Sequence, residues 1–164
     1  MRALADSRPD CFADAPLAAQ DVARGITRLF FRQDLFALCE VPLPNGRRAD
    51  MVAIDGKGLL TIVEIKVSRA DLLGDQKWPH YLDYCDRFFW AVPAGFPLGP
   101  FDGAALGASV SGLIVADRYD AAVLREAPLR KLAPARRKAE TLRFARRAAR
   151  RLAGDLDPNL AGLD

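Results

Sequence analysis

The stretch Arg48 to Lys66, RADMVAIDGKGLLTIVEIK, constrains the fold more than any other part of the chain. Two runs of alternating residues flank a glycine-rich turn, the pattern of a β-hairpin. Strand side chains alternate between faces, so Leu60, Ile62, Glu64 and Lys66 share one face of the second strand. Asp50, Val52 and Ile54 share a face of the first. Charges thus stand where a half-buried strand is ordinarily apolar. If the loop is Gly56-Lys57-Gly58, with Gly58 at positive φ, then Asp55 faces Leu59 and Asp50 faces Glu64. Directly opposed side chains lie about 5 Å apart on the same side of a sheet. A two-residue loop would set Asp50 against Val63, on the wrong face.

Two carboxylates this close repel unless a cation lies between them. An oxygen-rich site suits Mg²⁺ or Mn²⁺, which keep several waters and take one or two carboxylates plus substrate phosphate. In this reading Asp50 and Glu64 hold the metal with the backbone carbonyl of Ile65 and waters. The metal lowers the pKa of a bound water and polarises the phosphate. Lys66 positions the attacking water or stabilises charge on the phosphorus oxygens. Glu40, at the end of the preceding strand, is a candidate outer or extra ligand. Gln76, Lys77 and Tyr81 fall in the following helical segment, where they would orient the site or touch the backbone. Lys77 and Tyr81 share a face if the helix survives Pro79. An E-x-K pair alone reads more readily as a surface salt bridge. The pairing-compatible Asp50 and the apolar neighbours on both faces favour a site, because ionised groups there need a partner or a function.

The rest of the chain reads as one α/β unit. Residues 1–15 lack periodicity and predict an irregular start, and Pro16 suits the first turn of a helix. Val22, Ile26, Leu29 and Phe30 recur at helical spacing, with Gly25 weakening the helix. Arg24, Arg28 and Arg32 form a stripe on another face, read as solvated in the main. Asp34–Val41 predicts a strand, and Ser68 with Asp71 predicts a capped helix reaching about Trp78. The aromatic run Arg87–Val92 predicts a central strand and a core role for Phe88, Phe89 and Trp90. A loop of 93–109 leads to a strand pair at 111–116 and 121–126. Pro134 opens a basic helix over 134–153, with Leu142, Ala145, Ala149 and Leu152 as its apolar side and Gly154 as its stop. Residues 155–164 read as a tail. A single domain over 16–154 follows, within a chain of 164 residues.

Charge is unevenly placed. Net charge is +3, yet 134–154 carries Arg136, Arg137, Lys138, Arg143, Arg146, Arg147, Arg150 and Arg151 against Glu140, which leaves the remainder at −4. A basic element on a mildly acidic body predicts a polyanion partner, with these eight side chains along a nucleic-acid backbone. No apolar run approaches the ~20 residues of a membrane span. The absence of a secretory h-region and three cysteines without a CxxC pair predict a reducing cytoplasm.

Asp50, thirteen further residues, and Glu64-Ile65-Lys66, between a preceding helix and a following helix and strand, resemble the PD-(D/E)XK nuclease superfamily. The longer run GRRADMVAIDGKGLLTIVEIKVSRADLLGDQKWPHYLDYCDRFFWAVP resembles the MmcB-like DNA repair family of bacterial proteins, and the resemblance covers roughly residues 16–130. It implies a restriction-endonuclease-like α/β fold, a mixed central β-sheet flanked by helices. It also implies Mg²⁺-dependent cleavage of nucleic acid, with Asp50 and Glu64 as metal-binding acids and Lys66 as the lysine. Ala49 replaces the proline of the superfamily's name. The glutamate often found on the first helix has no match between Pro16 and Gln33, where Asp21 is the only acid, so Glu40 is a substitute. The expectation is a metal-dependent DNA endonuclease acting in DNA repair. The rivals are a catalytically silent DNA-binding protein on the same fold and a structural or interaction protein. Many such nucleases pair to cut both strands, which leaves a homodimer open.

Overall fold

The structure, a computed structural model, describes residues 17–160. The irregular start at 1–15, Pro16 as helix opener, and residues 161–164 of the expected tail lie outside the described residues. Helix α1, Ala19–Arg32, buries Val22, Ile26, Leu29 and Phe30 at the expected spacing. The Asp21 carboxylate accepts the Ala18 N–H at 3.1 Å. Gly25 serves a close approach: a Cβ there would lie 2.2 Å from the Asp117 carbonyl oxygen and 2.5 Å from that of Asp120. Its helix-weakening cost is offset by letting α1 lie against a tight turn of the sheet.

Six strands form one mixed sheet in chain order: β1 Leu35–Pro42, β2 Arg48–Asp55, β3 Leu60–Ile65, β4 Arg87–Pro93, β5 Gly112–Ala116 and β6 Ala121–Arg125. β1, β2 and β3 pair antiparallel, β3, β4 and β5 parallel, and β5 and β6 antiparallel. β4 is flanked on both sides, as its apolar run predicts. α1 covers one face, over Met51, Ala53, Val63, Ile65, Phe89, Ala91 and Ile114. On the other face Val52, Leu60, Ile62, Phe88, Trp90 and Val92 pack with Trp78, Tyr81, Tyr84 and Phe101. The Trp90 ring is fully buried, and its Nε1 donates to the Leu106 carbonyl at 2.9 Å.

The segment after β3 departs from the helix to about Trp78 that the sequence predicts. Helix α2 spans only Arg69–Gly74, capped by Ser68, whose hydroxyl accepts the Asp71 N–H at 3.2 Å. A 3₁₀ turn, Trp78–Tyr84, follows, with Pro79 near its start. Between them Asp75 accepts the Lys77 N–H at 2.9 Å. This local side-chain bond offers the backbone an alternative to the helical ladder. The proline then starts a new turn rather than kinking an old one.

Helix α3, Pro134–Leu156, starts where expected and runs past Gly154 by two residues. A short 3₁₀ turn, Pro158–Leu160, follows in what the sequence reads as tail. The expected apolar side is the outer side: Leu142 is 59% and Leu152 69% exposed. The inner side carries Phe144, packed on the core, and the buried Glu140. Arginine anchors set this rotation. Arg137 Nη2 lies 2.5 Å from Asp86 Oδ1, and Arg151 Nη2 donates to the Cys39 and Glu40 carbonyls. Arg137, Phe144 and Arg151 are spaced by seven residues, so they share one face of the helix.

Asp86 is the hub of this arrangement. Its fully buried carboxylate accepts the Leu60 N–H at 2.9 Å, the Leu132 N–H at 2.8 Å and the Arg137 guanidinium. The start of β3, the strap before α3 and α3 itself thus converge on one buried charge. Removing one partner of a buried ion pair costs about 3–5 kcal/mol. Asp86→Ala is expected to lose stability on that scale, read as a lower urea midpoint, whereas the exposed Asp83→Ala should shift it little.

Candidate active site

The β2–β3 turn has the odd length on which the site depends. The Asp55 N–H bonds to the Leu59 carbonyl at 3.1 Å, the Gly58 N–H to the Asp55 carbonyl at 3.0 Å, and Gly58 has φ +77°. The Asp55 carboxylate accepts the Lys57 and Leu59 N–H groups, both at 2.8 Å, which fixes the loop. The ladder sets Met51 beside Val63 and Val52 beside Ile62. The next pair in that register is Asp50 and Glu64. Each carboxylate also accepts a backbone N–H of the opposite strand: Asp50 Oδ2 from Ile65 at 2.7 Å, and Glu64 Oε1 from Asp50 at 3.3 Å.

Glu64 and Lys66 are both buried, and Asp50 is half-buried. Burial, then the neighbouring Asp50 charge, push the Glu64 carboxyl up to about 8 from an ordinary 4.5. Burial also raises Asp50, against the Ile65 N–H bond and the Lys66 charge. Lys66 Nζ lies 2.8 Å from Asp75 Oδ2, 3.8 Å from Asp71 Oδ1 and 3.9 Å from Glu64 Oε2. Burial alone would lower the Lys66 ammonium, but its bond to Asp75 and the charges of Asp75, Asp71 and Glu64 outweigh this and hold it above its ordinary value.

The sequence-predicted companions divide. Tyr81 comes to the site: its hydroxyl donates to the Arg48 carbonyl at 3.2 Å, and burial, then the Glu64, Asp75 and Asp50 charges, raise its pKa. Gln76 and Lys77 have exposed side chains. The helix that would have put Lys77 on the face of Tyr81 is interrupted at Gly74. Glu40 is next to Asp50 across the β1–β2 ladder, but its carboxylate is exposed and lies 2.5 Å from Arg48 Nε. Its backbone is in the left-handed region, φ +53°, sparsely populated for a residue with a side chain. Asp71 and Asp75 are the residues that sequence reasoning missed. The capping box placed Asp71 on α2 without a role, and the Asx-turn that turns Asp75 inward has no periodic signature.

The basic helix is likewise divided. Arg137 is held by Asp86, and Arg151 by β1 carbonyls. Arg136 stacks over Tyr84 at 5.0 Å and, with Arg143, faces Glu140. Arg143, Arg146, Arg147 and Arg150 line a groove of about 440 Å³ between α3 and β1–β2, and Lys138 lines a second groove on the other flank. Another groove, of about 610 Å³, runs along α1 past Arg24 and Arg28 to Asp50 and Ile65.

The donor set fits a hard divalent cation. It is all oxygen and consists of two adjacent carboxylates, each with one oxygen engaged by the backbone. Their mutual repulsion, visible in the raised Glu64, is what a cation between them would remove. Among the described residues no group of three or more His, Cys, Asp or Glu is arranged to hold a metal. A two-carboxylate set matches Mg²⁺, which keeps its waters, rather than a closed zinc site.

Fold and site together define an α/β protein with a mixed six-stranded sheet flanked by helices, consistent with a restriction-endonuclease-like fold. The family model described as DNA repair protein MmcB-like matches residues 7–159, and the chain belongs to that family. Among solved structures, the chain is similar to the SPO1766 protein of unknown function from Silicibacter pomeroyi. The two share 43% identity with a TM-score of 0.77, over 91% of this chain and 97% of that one. A search of curated proteins gives no match. None of these findings supports the homodimer that the sequence leaves open. Among the described residues no helix is long and apolar enough to cross a membrane.

A buried carboxyl with a raised pKa makes the metal-free fold sensitive to pH. The folded state retains the Glu64 proton up to about pH 8, and the unfolded chain releases it near 4.5. Stability from this group is therefore full below pH 4.5 and is lost as pH rises toward 8. In EDTA, denaturant midpoints should fall across that window, and Glu64→Gln should flatten the fall.

Proposed function

We propose that the protein is a metal-dependent deoxyribonuclease of the PD-(D/E)XK type acting in DNA repair. The observation that carries this reading is the juxtaposition of Asp50 and Glu64 across β2–β3, with Lys66 two residues further along the same face. Asp50 and Glu64 would hold Mg²⁺ or Mn²⁺, with the Ile65 carbonyl as a further oxygen donor. Such an ion would supply a bound water of lowered pKa and a counter-charge for phosphate. The chain's own residues do the rest. Lys66 presents a fixed ammonium to the charge that develops on the phosphorus oxygens. Tyr81, bonded to the Arg48 carbonyl, holds the strand that carries Asp50. The arginine-lined grooves beside α1 and α3 would hold the DNA backbone, in a salt-dependent manner. Family membership supports the repair role, and a buried acid pair of like charge is costly to retain without a ligand.

The test incubates purified protein with single-stranded, duplex and branched DNA in Mg²⁺, Mn²⁺ or EDTA. Cleavage should require the divalent ion. Asp50→Ala, Glu64→Ala and Lys66→Ala should each reduce it by about 10²-fold or more, the scale of removing a metal ligand or a transition-state donor. Binding to the same DNA should survive in all three. DNA bound but uncut under every condition would favour a silent DNA-binding protein, and no DNA binding at moderate salt a structural one.

A further inference from the structure

We infer that Asp75 is the positioning residue for Lys66, and that the turn Asp75-Gln76-Lys77 serves to hold it. The catalytic consequence rests on the nuclease reading; the contact itself does not. A lysine carries a compact charge on a flexible four-carbon stem, so its location depends on what anchors the ammonium. Of the three carboxylates near Nζ, Asp75 at 2.8 Å is at hydrogen-bond length, whereas Asp71 and Glu64 stand at 3.8 and 3.9 Å. Asp75 is also well shielded, its side chain 11% exposed against 54% for Asp71, so its pairing is little screened. The Trp90 ring, 5.9 Å from Nζ, closes another side.

Both oxygens of Asp75 are committed: Oδ2 faces Lys66, and Oδ1 accepts the Lys77 N–H at 2.9 Å. A carboxylate held at both ends has little freedom and fixes the ammonium in turn. The effect is to keep Lys66 close to Glu64 without a direct hydrogen bond, so that Glu64 remains open to a cation. It also explains the sequence at this point. An Asx-turn needs a short side chain, which Asp supplies and Glu does not. The exposed Lys77 contributes its backbone N–H rather than its ammonium.

Substitutions at Asp75 separate positioning from turn structure. Asp75→Asn retains a carbonyl oxygen for the Lys77 N–H but turns an amide toward the ammonium. Asp75→Ser keeps a turn-forming oxygen and removes the charge, and stands in if the first variant does not fold. The first readout is acetylation of Lys66 by acetic anhydride, followed by peptide mass spectrometry, with the exposed Lys57 and Lys131 as internal references. The second is cleavage kinetics on the DNA and metal that support wild-type activity. Lys66 should acetylate several-fold faster in Asp75→Asn, compared at a temperature where both proteins are fully folded, because neutralising one partner of a buried pair lowers the melting temperature. The variant's kcat should fall by about 10- to 100-fold, the usual loss when the partner orienting a site group is removed, with KM little altered. In a Lys66→Met background the same substitution should add no further loss. Wild-type acetylation and kcat in Asp75→Asn, or a loss of kcat that persists in the Lys66→Met background, would overturn the inference. If wild-type protein cuts none of the DNAs, the nuclease reading falls and acetylation alone decides: faster at Lys66 upholds the positioning role, unchanged refutes it.

Discussion

Everything at the site depends on the register between β2 and β3. A slip of one residue would turn Asp50 to the α1 side of the sheet while leaving Glu64 where it is. The turn prevents that slip. Gly58 adopts a backbone conformation that side chains disfavour, and the Asp55 carboxylate caps two N–H groups of the same loop. At the other end of the hairpin the acids themselves bond to the opposing backbone. The pair of like charges is thus tied into the ladder that brings it together, and the repulsion is borne by the packing around it. Val52, Leu60 and Ile62 continue the same face into the core, so the register that aligns the acids also buries the apolar side chains beside them.

Asp86 does for the far end of β3 what the Asp50–Glu64 pair does for the near end. It joins a strand, a strap and a long helix through one buried carboxylate, and this sets how α3 lies on the sheet. The consequence is an unusual helix, with polar anchors inside and leucines outside. Arg137, read from the sequence as one of the basic side chains along a nucleic-acid backbone, forms an ion pair with the buried Asp86. The basic surface that remains, Lys138, Arg143, Arg146, Arg147 and Arg150, borders grooves rather than forming one uniform stripe.

The sheet was legible because its strands obey a period of two and their turns carry glycine. The hairpin register followed from counting residues around Gly58, and the central place of β4 from its unbroken apolar run. Three things were not legible, each for a physical reason. The α2 helix stops at Gly74 because a side-chain bond from Asp75 competes with the ladder, and capping rules mark starts better than such stops. The rotation of α3 follows from long-range anchors, Asp86 and the β1 carbonyls, which periodicity cannot see. Asp75 reaches Lys66 only through that local turn, so the contact has no pattern in the chain. The misread helix and the missed partner are therefore one event: the same Asx-turn ends α2 and delivers the carboxylate to the lysine.

The charge balance around Lys66 bears on what the site can accept. Glu64, Asp71 and Asp75 surround one ammonium, with Asp50 beside Glu64, and such a cluster repels a phosphodiester when its acids are ionised. A protonated Glu64 relieves only part of this. Phosphate can approach if positive charge is added at the acids or supplied from the flanks, and the fold offers both routes. The acid pair has the oxygen donors for a divalent ion, and Arg24 and Arg28 border the groove that leads to Asp50. On the nuclease reading, the flanking arginines would hold a strand near the site without the ion while its acids keep the phosphorus away. Binding and cleavage would then separate by metal dependence. The bond between Lys66 and Asp75 belongs to the same balance, because an ammonium spent on neutralising Glu64 would weaken the attraction of the acid pair for any cation.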